Sequence, residues 1–305
     1  MEEIVLQTKN LTKRYGRFTA LDHVTVTLKK KHIYGFIGEN GAGKTTLMKI
    51  IAGLAFPTEG TFSIMGKESP HEREKMRRYI GCTIEAPAVI PGFTVLQNLE
   101  MQRTLTGNPD QAACDRVLEM VDLVPVRHKK VKTLSMGMKQ RLSVALAMVG
   151  NPRILILDEP INGLDPKNIV ALRKLLHKLC EERDMTIFIS SHILSELYLL
   201  ATDYIFIHKG CVVETLTQDE LETKCRKYIR ICTKSVPYVI TVLETHLRQP
   251  EYKVVSETEL HLYSDIEKTE TIARLLLEHQ ILVSEFSLSE QTLEEYFLTI
   301  TGGVQ

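Results

Sequence analysis

The stretch "GENGAGKTT", Gly38 to Thr46, decides the fold of this 305-residue chain. It fits the spacing G-x-x-x-x-G-K-[S/T]. It follows an apolar run, Ile33 to Ile37, that predicts a buried strand, and it opens the helical pattern "TTLMKIIAGL". Glycines let a backbone wrap closely around phosphate oxygens, and the N–H groups at a helix N-terminus add partial positive charge. The stretch therefore predicts a phosphate-binding loop between a strand and a helix.

We expect the whole loop to bind the phosphates of ATP together with Mg²⁺. Lys44 would reach the β and γ phosphates, and the Thr45 hydroxyl would be a ligand of Mg²⁺. An ordinary strand–turn–helix is the alternative, and it does not require a lysine and a threonine at these positions. The predicted nucleotide-binding residues of the loop are Gly38, Glu39, Asn40, Gly41, Ala42, Gly43, Lys44, Thr45 and Thr46.

The stretch "ILILDEP", Ile154 to Pro160, supplies two acids after a purely apolar run. Such a run predicts a strand that is covered on both faces, and ligands of open α/β sheets bind at the carboxyl ends of the strands. We expect Asp158 to hold Mg²⁺, directly or through water. Glu159 is suited to polarise the attacking water as a general base. The alternative is a solvated acidic turn.

Composition excludes some classes of partner. Hydrophobic residues make up 44% of the chain, and 38 basic residues balance 38 acidic ones, so no net charge favours nucleic acid or anionic lipid. No apolar run approaches the ~18 residues of a membrane span. The six cysteines are scattered without a C-x-x-C pair, which is typical of reduced, structural cysteines.

The order of patterns predicts two domains, residues 1–220 and 225–305. Alternating β patterns come first, a mainly helical stretch covers residues 87–150, and "ILILD", a helix and "TIFIS" then complete a βαβ unit. This alternation indicates an α/β fold with a parallel sheet. Beyond residue 225, a strand–helix–strand–strand–helix–strand order predicts a small α+β domain of the ferredoxin-like kind.

"LSMGMKQRLSVALAM", Leu134 to Met148, resembles the LSGGQ signature of ABC ATPases. Tyr15 lies ahead of the phosphate loop, at the position where that family carries an aromatic residue that stacks on adenine. "INGLDP", Ile161 to Pro166, looks like the loop that faces a partner subunit, and "ISSHILSEL" carries His192 like the family's switch histidine. The resemblance covers roughly residues 4–220. It implies a P-loop ABC ATPase domain with a parallel-sheet core, an antiparallel β subdomain and a helical subdomain.

The resemblance also implies a working pair of subunits. Ser135 and Gly137 would cap the nucleotide of a second chain, so that two chains pair head to tail, most simply as a homodimer, around two ATP molecules. His192 would bind the γ-phosphate and link it to Glu159 and to the loop of Asp165, which lies near the nucleotide. Catalysis would be mainly positioning and charge stabilisation.

Single residues have simpler interpretations as well. Tyr15 alone could be an edge-strand aromatic, and His192 alone could be a polar residue with its hydrogen bonds satisfied. The basic run "RHKKVK", Arg127 to Lys132, is best interpreted as a solvated face.

This chain departs from the family pattern at three positions. Met136 stands where the signature usually has a Gly and Met138 replaces its Gln, whereas Ser135 and Gly137 are present. Glu85 stands where most relatives carry a Gln that touches Mg²⁺ and water. A carboxylate is a better ligand than an amide for a hard cation, so we expect Glu85 to be a metal ligand that takes part in catalysis. The alternative is a solvated loop acid.

Glu85, the signature and "NGLDP" together resemble the ATPases of bacitracin and lantibiotic resistance exporters. The implied function is the ATPase subunit of an exporter of a peptide antibiotic or related drug. It would lie at the cytoplasmic face of the cell membrane beside a membrane-spanning permease. The apolar loop "APAVIPGFTV" would contact that permease, and the alternative is that the loop packs against the helical subdomain.

Two other functions stay open. A soluble ABC ATPase of the ribosome or of nucleic acid is disfavoured by the single ATPase domain, the lack of heptads and the balanced charge, so we expect no nucleic-acid partner. The C-terminal domain could also sense a small ligand and regulate a pump.

Overall fold

The computed structural model describes residues 3–85 and 89–302. The chain divides into two compact units, Met1–Gln218 and Asp219–Gln305. Within the described ranges, no helix combines the length and the apolar character needed to cross a membrane.

Strands of the first unit form two sheets. In chain order they are β1 (Ile4–Tyr15), β2 (Phe18–Val24), β3 (Thr27–Lys29), β4 (Ile33–Ile37), β5 (Glu59–Ile64), β6 (Ile80–Thr83), β7 (Ile154–Asp158), β8 (Thr186–Ser191), β9 (Asp203–His208) and β10 (Cys211–Thr217). The central sheet has the order β10-β9-β4-β8-β7-β6 and is parallel except at β10. The other sheet is antiparallel, with β1 between β2 and β3 and also paired with β5. The predicted parallel core and antiparallel subdomain are both confirmed.

Helices of the first unit connect these strands. They are α1 (Lys44–Ala52), α2 (Pro70–Arg77), α3 (Val95–Leu105), α4 (Ala113–Met120), α5 (Met136–Met148), α6 (Pro166–Arg183) and α7 (Leu194–Tyr198), and α8 (Gln218–Lys224) crosses the boundary in the chain between the units. Short 3₁₀ helices lie at Val124–Val126 and Val131–Thr133. Side-chain caps fix where two helices begin: Thr94 and Gln97 form a capping box at α3, and Asp165 caps α6 ahead of Pro166. The mainly helical stretch predicted from the sequence is confirmed for α3 to α5.

Burial explains why the central strands are apolar throughout. Every residue of β4, β7 and β8 is buried, because helices and the antiparallel sheet cover both faces. Since the three strands are parallel neighbours, their carboxyl ends meet at one edge of the sheet. The phosphate loop follows β4, Asp158 is the last residue of β7 with Glu159 next to it, and His192 follows β8.

The second unit is a four-stranded antiparallel sheet with helices. Its elements are β11 (Lys227–Thr233), α9 (Val236–His246), β12 (Tyr252–Ser256), β13 (Glu259–Leu262), a 3₁₀ helix (Ile266–Lys268), α10 (Thr269–Glu278), β14 (Val283–Glu290) and α11 (Leu293–Thr301). The strand order β12-β13-β11-β14 with the connection βαββαβ is the predicted ferredoxin-like arrangement. One core joins Ile229 and Ile231 of the sheet to Val239 of α9 and Leu276 of α10.

Candidate functional site

The phosphate loop requires glycine at two positions. Gly41 has φ +82° and Gly43 has φ +111°, a region that favours glycine. A Cβ on Gly43 would lie 2.5 Å from the carbonyl oxygen of Ala20, so any side chain there would collide with backbone. The glycines therefore allow the loop to turn tightly into α1.

Lys44 is buried under the loop that precedes it. Its Nζ donates to the carbonyl oxygens of Gly38 at 2.6 Å and Glu39 at 3.2 Å, and it lies 3.5 Å from Oε1 of Glu159. Only 6% of Lys44 is exposed. The structure thus brings the predicted lysine and the predicted general base to the same place.

Thr45 and Asp158 meet at the start of α1. The Thr45 hydroxyl donates to Oδ2 of Asp158 at 2.9 Å, and Asp158 is 7% exposed. Mg²⁺ prefers hard oxygen ligands and usually keeps several waters and phosphate oxygens. A buried carboxylate beside a hydroxyl at the phosphate loop has the donor chemistry that this ion needs. Across the described ranges, no group of three or more His, Cys, Asp or Glu side chains is arranged to hold a metal ion by itself. Water and phosphate oxygens would therefore have to supply the remaining ligands.

Sequence reasoning missed Ser190. Its Oγ donates to Oδ1 of Asp158 at 2.6 Å and accepts from the backbone N–H of Glu159 at 2.9 Å. Ser190 is fully buried on β8 and lies directly opposite Asp158 in the parallel register. Nothing in the string "TIFISSH" singles out this serine, because its partners come from the neighbouring strand.

Glu159 and His192 form a pair at the same edge. Nδ1 of His192 lies 2.9 Å from Oε2 of Glu159, and the His192 backbone N–H donates to that oxygen at 3.3 Å. Glu159 has φ +51°, so the chain reverses immediately after β7. The reversal directs the carboxylate toward both Lys44 and His192.

A cavity of about 250 Å³ opens beside these groups. Its lining residues are Phe18, Ala20, Asn40, Gly41, Gly43, Lys44, Thr45, Thr46 and Glu159. Phe18 was not predicted. It pairs with Tyr15 across the hairpin of β1 and β2, so the two side chains share one face of the sheet. Tyr15 is half exposed, with Nζ of Lys13 4.7 Å from its ring centroid.

The signature residues lie at the start of α5, apart from this lining. Ser135 caps α5 through a hydrogen bond from the Met138 N–H at 3.3 Å. A Cβ on Gly137 would lie 2.3–2.6 Å from side-chain atoms of Asn168. Asn168 is itself held by Asp165, whose carboxylate accepts from its backbone N–H at 2.9 Å and from its Nδ2 at 2.8 Å. The signature and the loop before α6 are thus packed together.

Glu85 contacts a lysine in this structure. Its Oε1 lies 2.5 Å from Nζ of Lys49, and this hydrogen bond raises the pKa of Lys49. Glu85 has φ +64° and is exposed. It does not join the Thr45–Asp158 pair, to which we assigned it from the sequence. Residues 86–88, the first part of the loop expected to contact the permease, lie outside the described residues.

A second cavity, of about 500 Å³, lies in the second unit between residues 233–238 and 280–284. Its lining includes the exposed Tyr238 and Leu282 together with Lys234. None of the predicted site residues contributes to it.

Comparison with known proteins identifies the family. A family model described as "ABC transporter" matches residues 21–162. The bacitracin transport ATP-binding protein BcrA of Bacillus licheniformis is 38% identical over 299 residues, which cover 98% of both chains. The lantibiotic transport ATP-binding protein SrtF of Streptococcus pyogenes is 40% identical over 209 residues, covering 68% of this chain and 89% of the relative.

Solved structures agree with this assignment. The ATP-binding cassette MJ0796, in a dimeric post-hydrolysis state with ADP and Pi, superposes with a TM-score of 0.63 at 28% identity, covering 70% of this chain and 98% of that chain. The chain is an ATP-binding cassette of the α/β class. It belongs to the ABC transporter family of ATP-binding proteins, and its enzymatic activity is ATP hydrolysis.

Proposed function

We propose that this chain is the ATP-hydrolysing subunit of a membrane exporter that removes peptide antibiotics such as bacitracin or lantibiotics. The observation that carries the proposal is the full-length similarity to a bacitracin transport ATP-binding protein, which includes the second unit. A likeness confined to the ATPase unit would be compatible with many kinds of cargo. The cargo itself would bind to another subunit.

The site supports a mechanism based on positioning. The triphosphate of ATP binds to Gly38–Thr46, and Lys44 moves its hydrogen bonds from the loop carbonyls to the β and γ phosphates. Thr45 and Asp158 would hold Mg²⁺, which neutralises charge on the phosphate oxygens.

The nucleophile in this mechanism is a water molecule. Glu159 orients and polarises the water, and His192 fixes the carboxylate and contacts the γ-phosphate. Tyr15 stacks on the adenine. The register of three neighbouring strands positions Asp158, Glu159 and His192 before nucleotide binds.

A second copy completes the site in this proposal. Ser135 and Gly137 do not line the cavity that holds Lys44, and in this proposal they cap the nucleotide of a partner subunit. The packing of Gly137 against Asn168, and through it Asp165, joins two elements that face the partner. Glu159→Gln should bind ATP without hydrolysing it and accumulate an ATP-bound dimer, which light scattering would detect.

The deciding experiment is a pull-down of tagged Glu159→Gln protein with Mg-ATP from detergent-solubilised native membranes. Lys44→Ala in the same background is the matched control, because it removes the buried ammonium that serves the phosphates. We expect a multi-span permease to co-purify, which would locate the complex at the cytoplasmic face of the cell membrane. Ribosomes or nucleic acid without a membrane protein would contradict the proposal and support the soluble alternative.

A further inference from the structure

One buried hydroxyl joins the two acids at the end of β7. Ser190 Oγ donates to Oδ1 of Asp158 at 2.6 Å and accepts from the N–H of Glu159 at 2.9 Å. A serine hydroxyl carries a single proton, so donation to Asp158 leaves only acceptor capacity for Glu159. Both bonds are made where Ser190 has no solvent exposure, and no water competes for them.

The contact with Ser190 gives the two carboxylate oxygens of Asp158 different partners. Oδ1 is occupied by Ser190, whereas Oδ2 points to the Thr45 hydroxyl at 2.9 Å. A carboxylate anchored at one oxygen cannot rotate to offer both. Ser190 therefore makes Asp158 a ligand with one oxygen directed toward the phosphate loop.

For Glu159, the same hydroxyl fixes a strained point of the backbone. A non-glycine residue at φ +51° costs energy and persists only where its surroundings hold it. The hydrogen bond from the Glu159 N–H to Ser190 lies directly at this reversal. It sets the direction in which the Glu159 side chain leaves β7 toward His192, 2.9 Å away.

We propose that Ser190 is a positioning residue for ATP hydrolysis, which presents Oδ2 of Asp158 to the divalent cation of the nucleotide and holds the backbone of Glu159 in its working orientation. The inference rests on the proposed function, because it needs Asp158 to act on a cation bound with ATP. Loss of a hydrogen-bond partner that orients a metal ligand typically lowers metal affinity by about 10- to 100-fold.

Thr186, at the opposite end of β8, offers a matched control. Its hydroxyl also donates once, to the Lys29 carbonyl at 3.2 Å, and accepts once, from the Lys31 N–H at 3.0 Å. Thr186 is fully buried too, but it lies far along the strand from both acids. Thr186→Val removes a comparable pair of hydrogen bonds without touching Asp158 or Glu159.

The experiment measures the affinity of a non-hydrolysable ATP analogue in EDTA and over a series of Mn²⁺ concentrations, followed by kcat with Mg-ATP. For Ser190→Ala we expect unchanged affinity in EDTA, a midpoint in Mn²⁺ raised about tenfold, and kcat lowered to a similar degree. Ser190→Cys keeps nearly the same volume with a weak hydrogen-bonding thiol, and it should change the Mn²⁺ midpoint in the same direction. Thr186→Val should keep the Mn²⁺ midpoint of the parent.

The response of the unmodified protein to Mn²⁺ distinguishes failure of the proposed function from failure of the role of Ser190. A parent whose affinity for the analogue does not respond to Mn²⁺ would contradict the proposed function of the site itself. A parent that responds, together with a Ser190→Ala midpoint within twofold of it, would overturn only the role of Ser190. An equal shift in Thr186→Val would also overturn it, since a general loss of buried hydrogen bonds would then suffice. If Ser190→Ala does not fold, Ser190→Cys decides by the same criterion.

Discussion

The ammonium of Lys49 lies 2.5 Å from Oε1 of Glu85, and Lys49 is one helical turn beyond Thr45 on α1. The pair anchors the segment directly after β6 to α1, the helix that begins at the phosphate loop. The contact raises the pKa of Lys49, so the lysine stays charged up to a higher pH than a free lysine. Glu85 is therefore coupled to α1 through Lys49.

Glu85→Gln should leave ATP affinity nearly unchanged and alter turnover and its dependence on Mg²⁺ concentration. An amide keeps the shape of the side chain but loses the charge that pairs with Lys49 and that favours a divalent cation. Steady-state hydrolysis over a Mg²⁺ series measures both effects. Glu68→Gln is the control, because Glu68 forms an exposed pair with Lys9 elsewhere. Identical turnover and metal response in Glu85→Gln and the parent would refute the role of Glu85.

Phe18→Ala and Tyr15→Ala should each weaken ATP binding by about tenfold, because loss of stacking on a base costs about 1–3 kcal/mol. Neither should change the affinity for inorganic triphosphate, which has no base to stack. Calorimetry with the two ligands separates these contributions. Phe56→Ala, which removes a 77% exposed ring outside the cavity lining, is the control. If Phe18→Ala weakens triphosphate and ATP binding equally, Phe18 supports the loop and does not bind adenine.

The sequence predicted the parts of the site whose spacing is local. Lys44 and Thr45 follow from a pattern of consecutive residues, and Asp158 follows from a short apolar run that ends in acids. Ser190 and the Glu85–Lys49 pair could not be predicted in this way. Their contacts depend on the register of neighbouring strands or on a loop reversal, and residues far apart in the chain supply the partners.

The same distinction holds for the fold. The order of the six elements after residue 225 sufficed for the ferredoxin-like arrangement, because few sheets accommodate βαββαβ. A 3₁₀ turn at Ile266–Lys268 directly precedes α10, so the helical pattern in the sequence begins before the α-helical hydrogen bonds do. Phe18 was missed because hairpin pairing, and not sequence spacing, brings it beside Tyr15.

Cys180 and Cys225 should be unreactive in the folded protein. Burial raises the pKa of each thiol to about 11, so little thiolate exists near neutral pH. Since both pKa values are raised above the unfolded value of 9.0, the folded state loses stability as the pH rises from 9 toward 11. Mass spectrometry after brief iodoacetamide treatment should find alkylation first at the exposed Cys211, and at Cys180 and Cys225 only in urea. Rapid native labelling of Cys180 would contradict its burial.

Gly137→Ala should destabilise the protein by about 1–3 kcal/mol, because a new methyl group is forced into occupied space. That methyl would lie 2.3–2.6 Å from the side chain of Asn168, which Asp165 holds in place. Gly92→Ala is the control, since a Cβ at Gly92 meets no atom within 4 Å and should change the free energy of unfolding by less than about 0.5 kcal/mol. In the double variant Gly137→Ala/Asn168→Ala, the shortened Asn168 side chain leaves room for the new methyl group. The double variant should therefore be more stable, by about 1 kcal/mol or more, than the sum of the single changes predicts, as measured by urea denaturation.

In the Glu159→Gln background, Gly137→Ala should also weaken the ATP-dependent dimer seen by light scattering, because the shifted signature no longer fits over the partner's nucleotide. Additive single changes together with an unaltered dimer would show that the contact between Gly137 and Asn168 has no role in aligning the signature.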